Sequence, residues 1–234
     1  MAATAHITPT KPGILVGLTA EAKFIRQVFP HAAIAASGAT SAGAKREAAR
    51  LAACGADCLL SFGLAAGLNP ALPAGTIIVP ETVLAWGATY VCDPTLRHIL
   101  GSGQPSSVGG SLLHSDHVVL DAGEKAALFA QSGSTALDME SGFLARAAAD
   151  AGLPFAVLRV VCDPATRTLP PVAGAVLSPD GGLNIKALLS SLLRKPTQIP
   201  ALMALGKDAS LARKAMQNFL QQQRTLQAFA RLAS

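Results

Sequence analysis

Acidic side chains are scarce in this sequence. Only 14 Asp and Glu residues stand against 19 Lys and Arg, so the net charge of +5 reflects missing acids rather than an added basic stripe. Aromatic residues are also few, since Trp86 and Tyr90 are the only Trp and Tyr. Proteins that bind nucleic acid usually present clustered basic side chains and aromatic stacking surfaces. The composition therefore argues against nucleic acid as a partner.

Cysteine is rare as well, and its four residues are Cys54, Cys58, Cys92 and Cys162. The first two could lie one helical turn apart, but no second Cys or His pair completes a zinc site. We therefore expect no metal. We expect the thiols to behave as small buried apolar groups in a reducing compartment.

Long apolar runs are missing too. None reaches the roughly 18 residues that a membrane-spanning helix needs. The first residues, MAATAHITPTKPG, lack the charged-then-apolar pattern of a secretory signal. Half of the residues are nevertheless hydrophobic, which is enough for a sizeable core. We therefore expect a soluble, cytoplasmic protein.

Short apolar runs alternate with helical patterns along the chain. Strands are predicted at 13–18, 32–37, 57–63, 76–86, 112–119 and 154–161, and helices after residue 19, at 41–55, at 123–131 and after residue 140. This alternation favours an α/β fold with three layers, in which helices flank a mostly parallel or mixed central sheet.

The composition changes after about residue 178. We therefore divide the chain into an α/β domain at 1–178 and a helical C-terminal extension at 179–234. Within the extension, helices are predicted at 185–193, 199–205 and 210–232. Residues 102–110 are predicted to be a flexible loop because of their glycine, serine and proline content.

Polar or glycine-rich positions follow several predicted strands. Glu21 follows the first strand, Gly63–Gly67 the third, and Asp163 the last, while Glu140 stands at a strand-to-helix junction. Ligands of open α/β sheets bind beyond the carboxyl ends of the strands, so we expect these positions to converge in one cleft. Each also has a structural explanation, as a first-turn helix acid, a helix cap before proline, or a glycine corner.

Two of these stretches carry a resemblance. LDMESG (137–142) and VVCDPA (160–165) resemble motifs of the nucleoside phosphorylase/nucleosidase family, which cleaves purine nucleosides. GILVGLTAEA and LLSFGLAAGLNPALPAGTIIVPETV resemble the family's first strand with its acid and its glycine-rich third-strand segment. The similarity covers residues 13–165 in the family's order. The tail phrase LSPDGGLNIKALLSSLLRKPTQIPALMALGKDA is similar to the hopanoid-associated branch, whose assigned substrate is adenosylhopane.

The resemblance implies a role for each site residue. Asp163 would be the general acid that protonates purine N7, and a dry strand end favours its acid form. Glu140 would accept hydrogen bonds from the ribose hydroxyls and face the positive charge that develops on the sugar. Met139 would pack against the ribose, and Glu21 would position the attacking water. Asp138 is interpreted as a structural acid of the turn.

Water and phosphate both stay open as the nucleophile. The bacterial phosphorylase pattern places an Arg in the first loop and another before the glycine-rich loop, where this sequence has Glu21 and Ser61. Backbone N–H groups of Gly63–Gly67 could still bind phosphate as a co-substrate. No other cofactor is expected.

The tail has two interpretations. Its amphipathic helices either cap the sheet or join a dimer, or they contact the inner membrane and deliver a lipid-tailed nucleoside. A homodimer or larger homo-oligomer is implied by the resemblance alone. Two other functions stay open: a general methylthioadenosine/S-adenosylhomocysteine nucleosidase, and a non-catalytic nucleoside-binding protein, which would not need a general acid.

Overall fold

Residues 10–170, 199–223, 226, 228 and 229 are described by a computed structural model. The strands are β1 (Pro12–Val16), β2 (Ala33–Ala36), β3 (Cys58–Gly67), β4 (Ile77–Ile78), β5 (Thr82–Ala85), β6 (Ala88–Val91), β7 (Ser107–Val108), β8 (Ser111–His114), β9 (Ala136–Asp138) and β10 (Phe155–Asp163). The helices are α1 (Thr19–Val28), α2 (Ser41–Ala53), α3 (Pro94–Ile99), α4 (Ala122–Ser132), α5 (Ser141–Ala151) and α6 (Ile199–Gln222). The division predicted at residue 178 and the helix predicted at 185–193 lie outside the described residues.

Within the described residues, ten strands form one mixed sheet. The long strands β3 and β10 are parallel and adjacent at its centre, and β1 and β2 extend the parallel part beside β3. Beyond β10 lie β4 and β7, and beyond β9 lie β8, β5 and β6. The predicted three-layer α/β class with a mixed central sheet and a C-terminal helix is confirmed.

Two strands approach each other along one edge of β3. Val16 of β1 pairs with Phe62 in parallel register, whereas Leu137 of β9 pairs with Ala66 in antiparallel register. The segments that follow β1 and β9 therefore meet beside the middle of β3, near Gly63. Residues far apart in the sequence become neighbours at this point, which is where the candidate site is built.

Apolar side chains fill both faces of the sheet. In β10, Leu158 and Val160 join the cluster that contains α1, α3 and α6, while Val157 and Val161 join the cluster that contains α2 and α5. This alternation follows from the two-residue period of a strand. Because both faces are covered, β3 and β10 are almost wholly buried, as expected for the centre of a parallel sheet.

Several predicted elements need correction. Residues 63–67 are not a loop but the second half of β3, because β9 and β10 pair with them on either side. The single strand predicted at 76–86 is two strands, since Pro80 lies between them and has no N–H for a ladder bond. The predicted loop at 102–110 contains β7, which pairs with β4.

Residues 199–222 of the tail form one helix, where the sequence predicted an interruption. α6 continues through Gly206, where the sequence predicted a break. Met216, Phe219 and Leu220 are buried in the same apolar cluster as α1 and the central strands, so packing against the sheet outweighs the low helix propensity of glycine. Among the helices in the described ranges, none combines the length and hydropathy needed to cross a bilayer.

This packing makes α6 part of the core, and Phe219→Ala tests it. The substitution should lower the free energy of unfolding by about 3–5 kcal/mol, because it removes a buried ring and leaves a cavity. Asn218→Ala, at the neighbouring exposed position, should change it by no more than about 0.5 kcal/mol. Urea unfolding followed by circular dichroism measures both. Equal effects of the two substitutions would mean that α6 does not pack on the sheet in solution.

Candidate active site

The second half of β3 and the ends of β9 and β10 line one cavity of about 200 Å³. Asp138, Glu140 and Asp163 are its acidic residues, and Met139 lies on the same wall, so the structure brings the predicted Met139, Glu140 and Asp163 together. The rest of the wall is mainly apolar and includes Leu64, Val118, Val119, Leu137, Leu169 and, from α6, Leu205.

A larger cavity of about 480 Å³ lies elsewhere, between α2 and α5 beside Trp86. Alanine side chains make up much of its wall, and none of the predicted site residues takes part. Size alone therefore does not mark the site. The smaller cavity is the better candidate because buried carboxyl groups converge on it.

Glu21 and Glu140 both lie close to Gly17. An ideal Cβ built on Gly17 would stand 3.3 Å from Oε2 of Glu21 and 3.3 Å from Oε1 of Glu140. Both side chains are buried, and Glu21 lies just outside the cavity wall. A side chain at this position would therefore press on both carboxyl groups, because 3.3 Å is closer than ordinary van der Waals contact.

The two carboxyl groups have unusual surroundings. Oε2 of Glu21 accepts the backbone N–H of Leu18 at 2.8 Å, and the Ser37 hydroxyl donates to Oε1 of Glu140 at 3.4 Å. Burial raises the pKa of Glu140 to about 7, the Asp138 carboxylate adds to this, and the Arg159 charge opposes it. Burial also raises the pKa of Glu21. Both groups can therefore exchange protons closer to neutral pH than an ordinary carboxyl.

Arg159 of β10 supplies the positive charge beneath these acids. It is completely buried, and its Nε donates to Oδ2 of Asp138 at 2.6 Å. Its Nη2 donates to the Ser61 hydroxyl at 2.7 Å and lies 3.7 Å from Oε2 of Glu140. One guanidinium thus compensates two carboxylates that would otherwise be buried without a cation.

Asp138, Glu140 and Asp163 differ in whether they cap a helix. Asp138 accepts the N–H and the hydroxyl of Ser141 at the start of α5, which confirms its interpretation as a structural acid. Glu140 occupies the cap position of α5 but makes no side-chain cap bond. No helix follows Asp163 within the described residues, so that residue is not a cap either. The cap explanation therefore does not account for Asp163, and Glu140 stands at the N-cap of α5 rather than in its first turn, where its structural explanation placed it.

Asp163 is paired with a second buried cation. Its Oδ2 accepts from Nζ of Lys125 at 2.5 Å, and Lys125 is completely buried in α4. Oδ1 has no hydrogen-bond partner in the described part of the chain. Burial raises the pKa of Asp163, and the Lys125 ammonium opposes that effect. The carboxyl group therefore has one oxygen paired with a lysine and one that is buried without a partner in the described residues.

Gly63, Gly67 and Ser61, the residues considered for phosphate binding, all lie within β3 rather than in a loop. Gly63 and Gly67 are strand residues in register with β10 and β9, so they do not form a free loop of N–H donors. Ser61 is fully buried, and its hydroxyl accepts from Arg159. These residues therefore lie within the central sheet, next to the site, rather than at the surface of the cavity.

Arg159 and Lys125 were not among the site residues predicted from the sequence. Arg159 interrupts the apolar run PFAVLRVV, and a lone charge in a buried strand is itself a sign of a buried partner. Lys125 had no comparable signal, because a lysine in a short amphipathic helix is usually solvated. As for metals, no group of three or more His, Cys, Asp or Glu in the described ranges could hold an ion.

Comparison with known proteins gives a family and a fold. The profile described as Phosphorylase superfamily matches residues 30–174. No curated relative matches the sequence significantly.

Solved structures show the same architecture. The 5′-methylthioadenosine/S-adenosylhomocysteine nucleosidase of Helicobacter pylori aligns with a TM-score of 0.67 at 14% identity, over 91% of this chain and 96% of its own. The enzyme of the same description from Neisseria meningitidis, in complex with methylthio-immucillin-A, gives 0.60 at 16% identity, over 88% and 98%. Futalosine hydrolase of Helicobacter pylori gives 0.56 at 17%, over 65% and 89%. At such identities the likeness concerns the fold.

The dependence of the site on Arg159 leads to a stability prediction. Arg159→Met should lower the free energy of unfolding by about 3–5 kcal/mol, because Asp138 and Glu140 remain buried without their cation. Arg26→Met, at an exposed position of α1, should change it by no more than about 0.5 kcal/mol. Denaturant titration at pH 8 compares the two. Wild-type stability of Arg159→Met would show that these acids do not need the guanidinium.

Proposed function

The chain belongs to the Phosphorylase superfamily, and from that premise we propose that it cleaves the N-glycosidic bond of an adenine nucleoside and releases adenine by hydrolysis. The observation that carries the proposal is that Glu140 and Asp163 line one cavity while Glu21 lies beside Glu140 at Gly17. All three carboxyl groups are buried and have raised pKa values. Perturbed carboxyl groups in a cleft are typical of acid–base catalysis. The solved nucleosidases of the same fold support the choice of reaction.

Asp163 is the proposed general acid. As the bond between C1′ and N9 breaks, its electron pair moves into the purine, and the proton on Oδ1 of Asp163 passes to N7. The base then leaves as neutral adenine. Oδ1 suits this role because it has no partner within the described residues, and because burial keeps a proton on the group to higher pH.

Glu140 is the proposed ribose ligand. Its carboxylate would accept hydrogen bonds from the 2′- and 3′-hydroxyls and would face the positive charge that develops on the sugar ring. This attraction grows as the bond breaks, so it lowers the barrier rather than only strengthening substrate binding. Met139, on the same cavity wall, would pack against the ribose.

Glu21 is the proposed base for the nucleophile. A water held near Gly17 would give a proton to Glu21 while its oxygen bonds to C1′. The raised pKa of Glu21 makes its carboxylate a stronger base. Water fits better than phosphate, because an anion here would meet Glu21 and Glu140. The neighbouring Arg159 already donates to Asp138, Ser61 and Ser141.

The apolar wall favours a nucleoside with an apolar 5′ substituent. Val118 and Leu169 face the cavity together with Leu205 of α6. We propose adenosylhopane as this substrate, and the similarity of the tail phrase to the hopanoid-associated branch supports it. A small thioether, as in methylthioadenosine, is the alternative that the same wall would accept.

The general-acid role is tested by Asp163→Asn. Turnover should fall by about 10²–10⁴-fold because the amide cannot protonate N7. Asp150→Asn, at an exposed position of α5, should retain wild-type turnover. Adenine release is followed by chromatography, and calorimetry with a non-cleavable nucleoside analogue checks that binding remains. Turnover of Asp163→Asn within about threefold of wild type would refute the assignment.

The nucleophile and the substrate are tested with two nucleosides, adenosylhopane and 5′-methylthioadenosine, each with and without phosphate. We expect adenine and a free ribosyl sugar in phosphate-free buffer, faster cleavage of adenosylhopane, and little activity of Glu21→Gln. If the sugar product is a 1-phosphate that forms only when phosphate is present, then phosphate rather than water is the nucleophile. Preference for methylthioadenosine would favour the thioether substrate. Binding without adenine release would indicate a nucleoside-binding protein.

A further inference from the structure

Lys125 is the one fully buried lysine in the described part of the chain. Its Nζ donates to Oδ2 of Asp163 at 2.5 Å, to the carbonyl of Arg167 at 2.9 Å and to the carbonyl of Pro164 at 3.4 Å. An ammonium group has three N–H donors, and each has an acceptor here. The arrangement therefore suits the charged form of lysine, which is rarely buried without a partner.

The two oxygens of Asp163 are not equivalent. Oδ2 is held by Lys125, whereas Oδ1 has no partner within the described residues, and Asp163 lines the cavity. Lys125 also donates hydrogen bonds to the carbonyl groups of Pro164 and Arg167, the first and last residues of the turn after Asp163. The position and the rotation of the carboxyl group are therefore both fixed from α4.

We propose that Lys125 is the positioning residue of Asp163: it anchors Oδ2 and the following turn, so that Oδ1 alone is presented to the purine. The inference rests on the proposed function, because it assigns Lys125 to the general acid of that reaction. Lys125 itself would not contact the substrate.

The charge of Lys125 also matters to proton transfer. When the proton on Oδ1 passes to purine N7, Asp163 becomes a carboxylate beside the Lys125 ammonium. The ion pair stabilises this product of the transfer, so it makes Asp163 a stronger acid. Burial acts in the opposite direction and keeps the proton in place before reaction. Together, burial and the ammonium determine at which pH Asp163 can deliver its proton.

Other charged groups near Asp163 form a second pair. Arg167 stabilises the Asp163 carboxylate and Asp208 of α6 destabilises it, and the two side chains form an ion pair with each other. Their influences on Asp163 therefore oppose one another. Lys125 is the group in direct contact with the carboxyl, which makes it the appropriate residue to change.

The test compares Lys125→Met with Lys125→Arg. Loss of the charge should lower kcat about tenfold or more at pH 7, and should move the alkaline limb of the kcat/KM profile upward by about 1–3 pH units. Lys125→Arg keeps the charge and should keep the limb near its wild-type position. Lys214→Met, an exposed lysine of α6, is the matched control and should leave the profile unchanged. The substrate is whichever of adenosylhopane and 5′-methylthioadenosine the wild type cleaves faster.

A double-mutant cycle separates positioning from general destabilisation. If Lys125 acts through Asp163, then adding Lys125→Met to Asp163→Asn should change kcat by less than about threefold. Losses that multiply, or an unmoved alkaline limb in an active Lys125→Met enzyme, would overturn the proposal. If Lys125→Met does not fold, Lys125→Arg decides the question. A wild-type kcat and a wild-type alkaline limb of the kcat/KM profile in Lys125→Arg would support the proposal, and a shifted alkaline limb would oppose it.

A direct titration distinguishes this inference from the proposed function. Difference infrared spectroscopy of the free protein, with Asp163→Asn as the blank, follows the Asp163 carboxyl in wild type and in Lys125→Met. A pKa that rises on loss of Lys125 supports the electrostatic link even in a protein that releases no adenine, which would overturn the proposed function alone. An unchanged Asp163 pKa beside measurable adenine release would overturn the role of Lys125 alone.

Discussion

The buried guanidinium of Arg159 is the interaction on which the site depends. It lies inside the layer between the sheet and α5, where an isolated charge would cost several kcal/mol. Contacts with Asp138, Ser61 and Ser141 join β10 to β9, to β3 and to the start of α5. Because those elements must keep this geometry to satisfy the cation, Glu140 is held at a fixed distance from it.

The buried carboxyl groups of the site differ in how fully their charge is compensated by hydrogen bonds and cations. Asp138 is in full contact with Arg159 and Ser141 and serves the architecture, whereas Glu140 lies farther from the cation and makes no cap bond. Glu21 keeps a backbone N–H, and Asp163 keeps one lysine. Each of these three carboxyl groups receives less stabilisation than its burial removes, so their pKa values rise. A carboxyl group with a raised pKa can exchange a proton closer to neutral pH than an ordinary carboxyl.

The helical tail contributes to the same site. α6 buries apolar side chains against the central strands, places Leu205 in the cavity wall and holds Arg167 through Asp208. The described part of the tail therefore stabilises the turn after Asp163 as well as the sheet. A helix that packs in this way can shape substrate specificity without supplying a reacting group.

The sequence by itself determined the fold class and the acids at or just after the strand ends, because strand and helix periodicity and polar residues at element ends are local signals. It did not determine that Gly63–Gly67 continue a strand, since that depends on pairing with β9 and β10. Nor did it indicate Lys125, whose acceptors are Asp163 and the carbonyl groups of the turn that follows it. The lone Arg159 in an apolar strand was visible, but its partners were not. Tertiary structure decided which acids are compensated, because electrostatic compensation depends on distances between segments that no local pattern encodes.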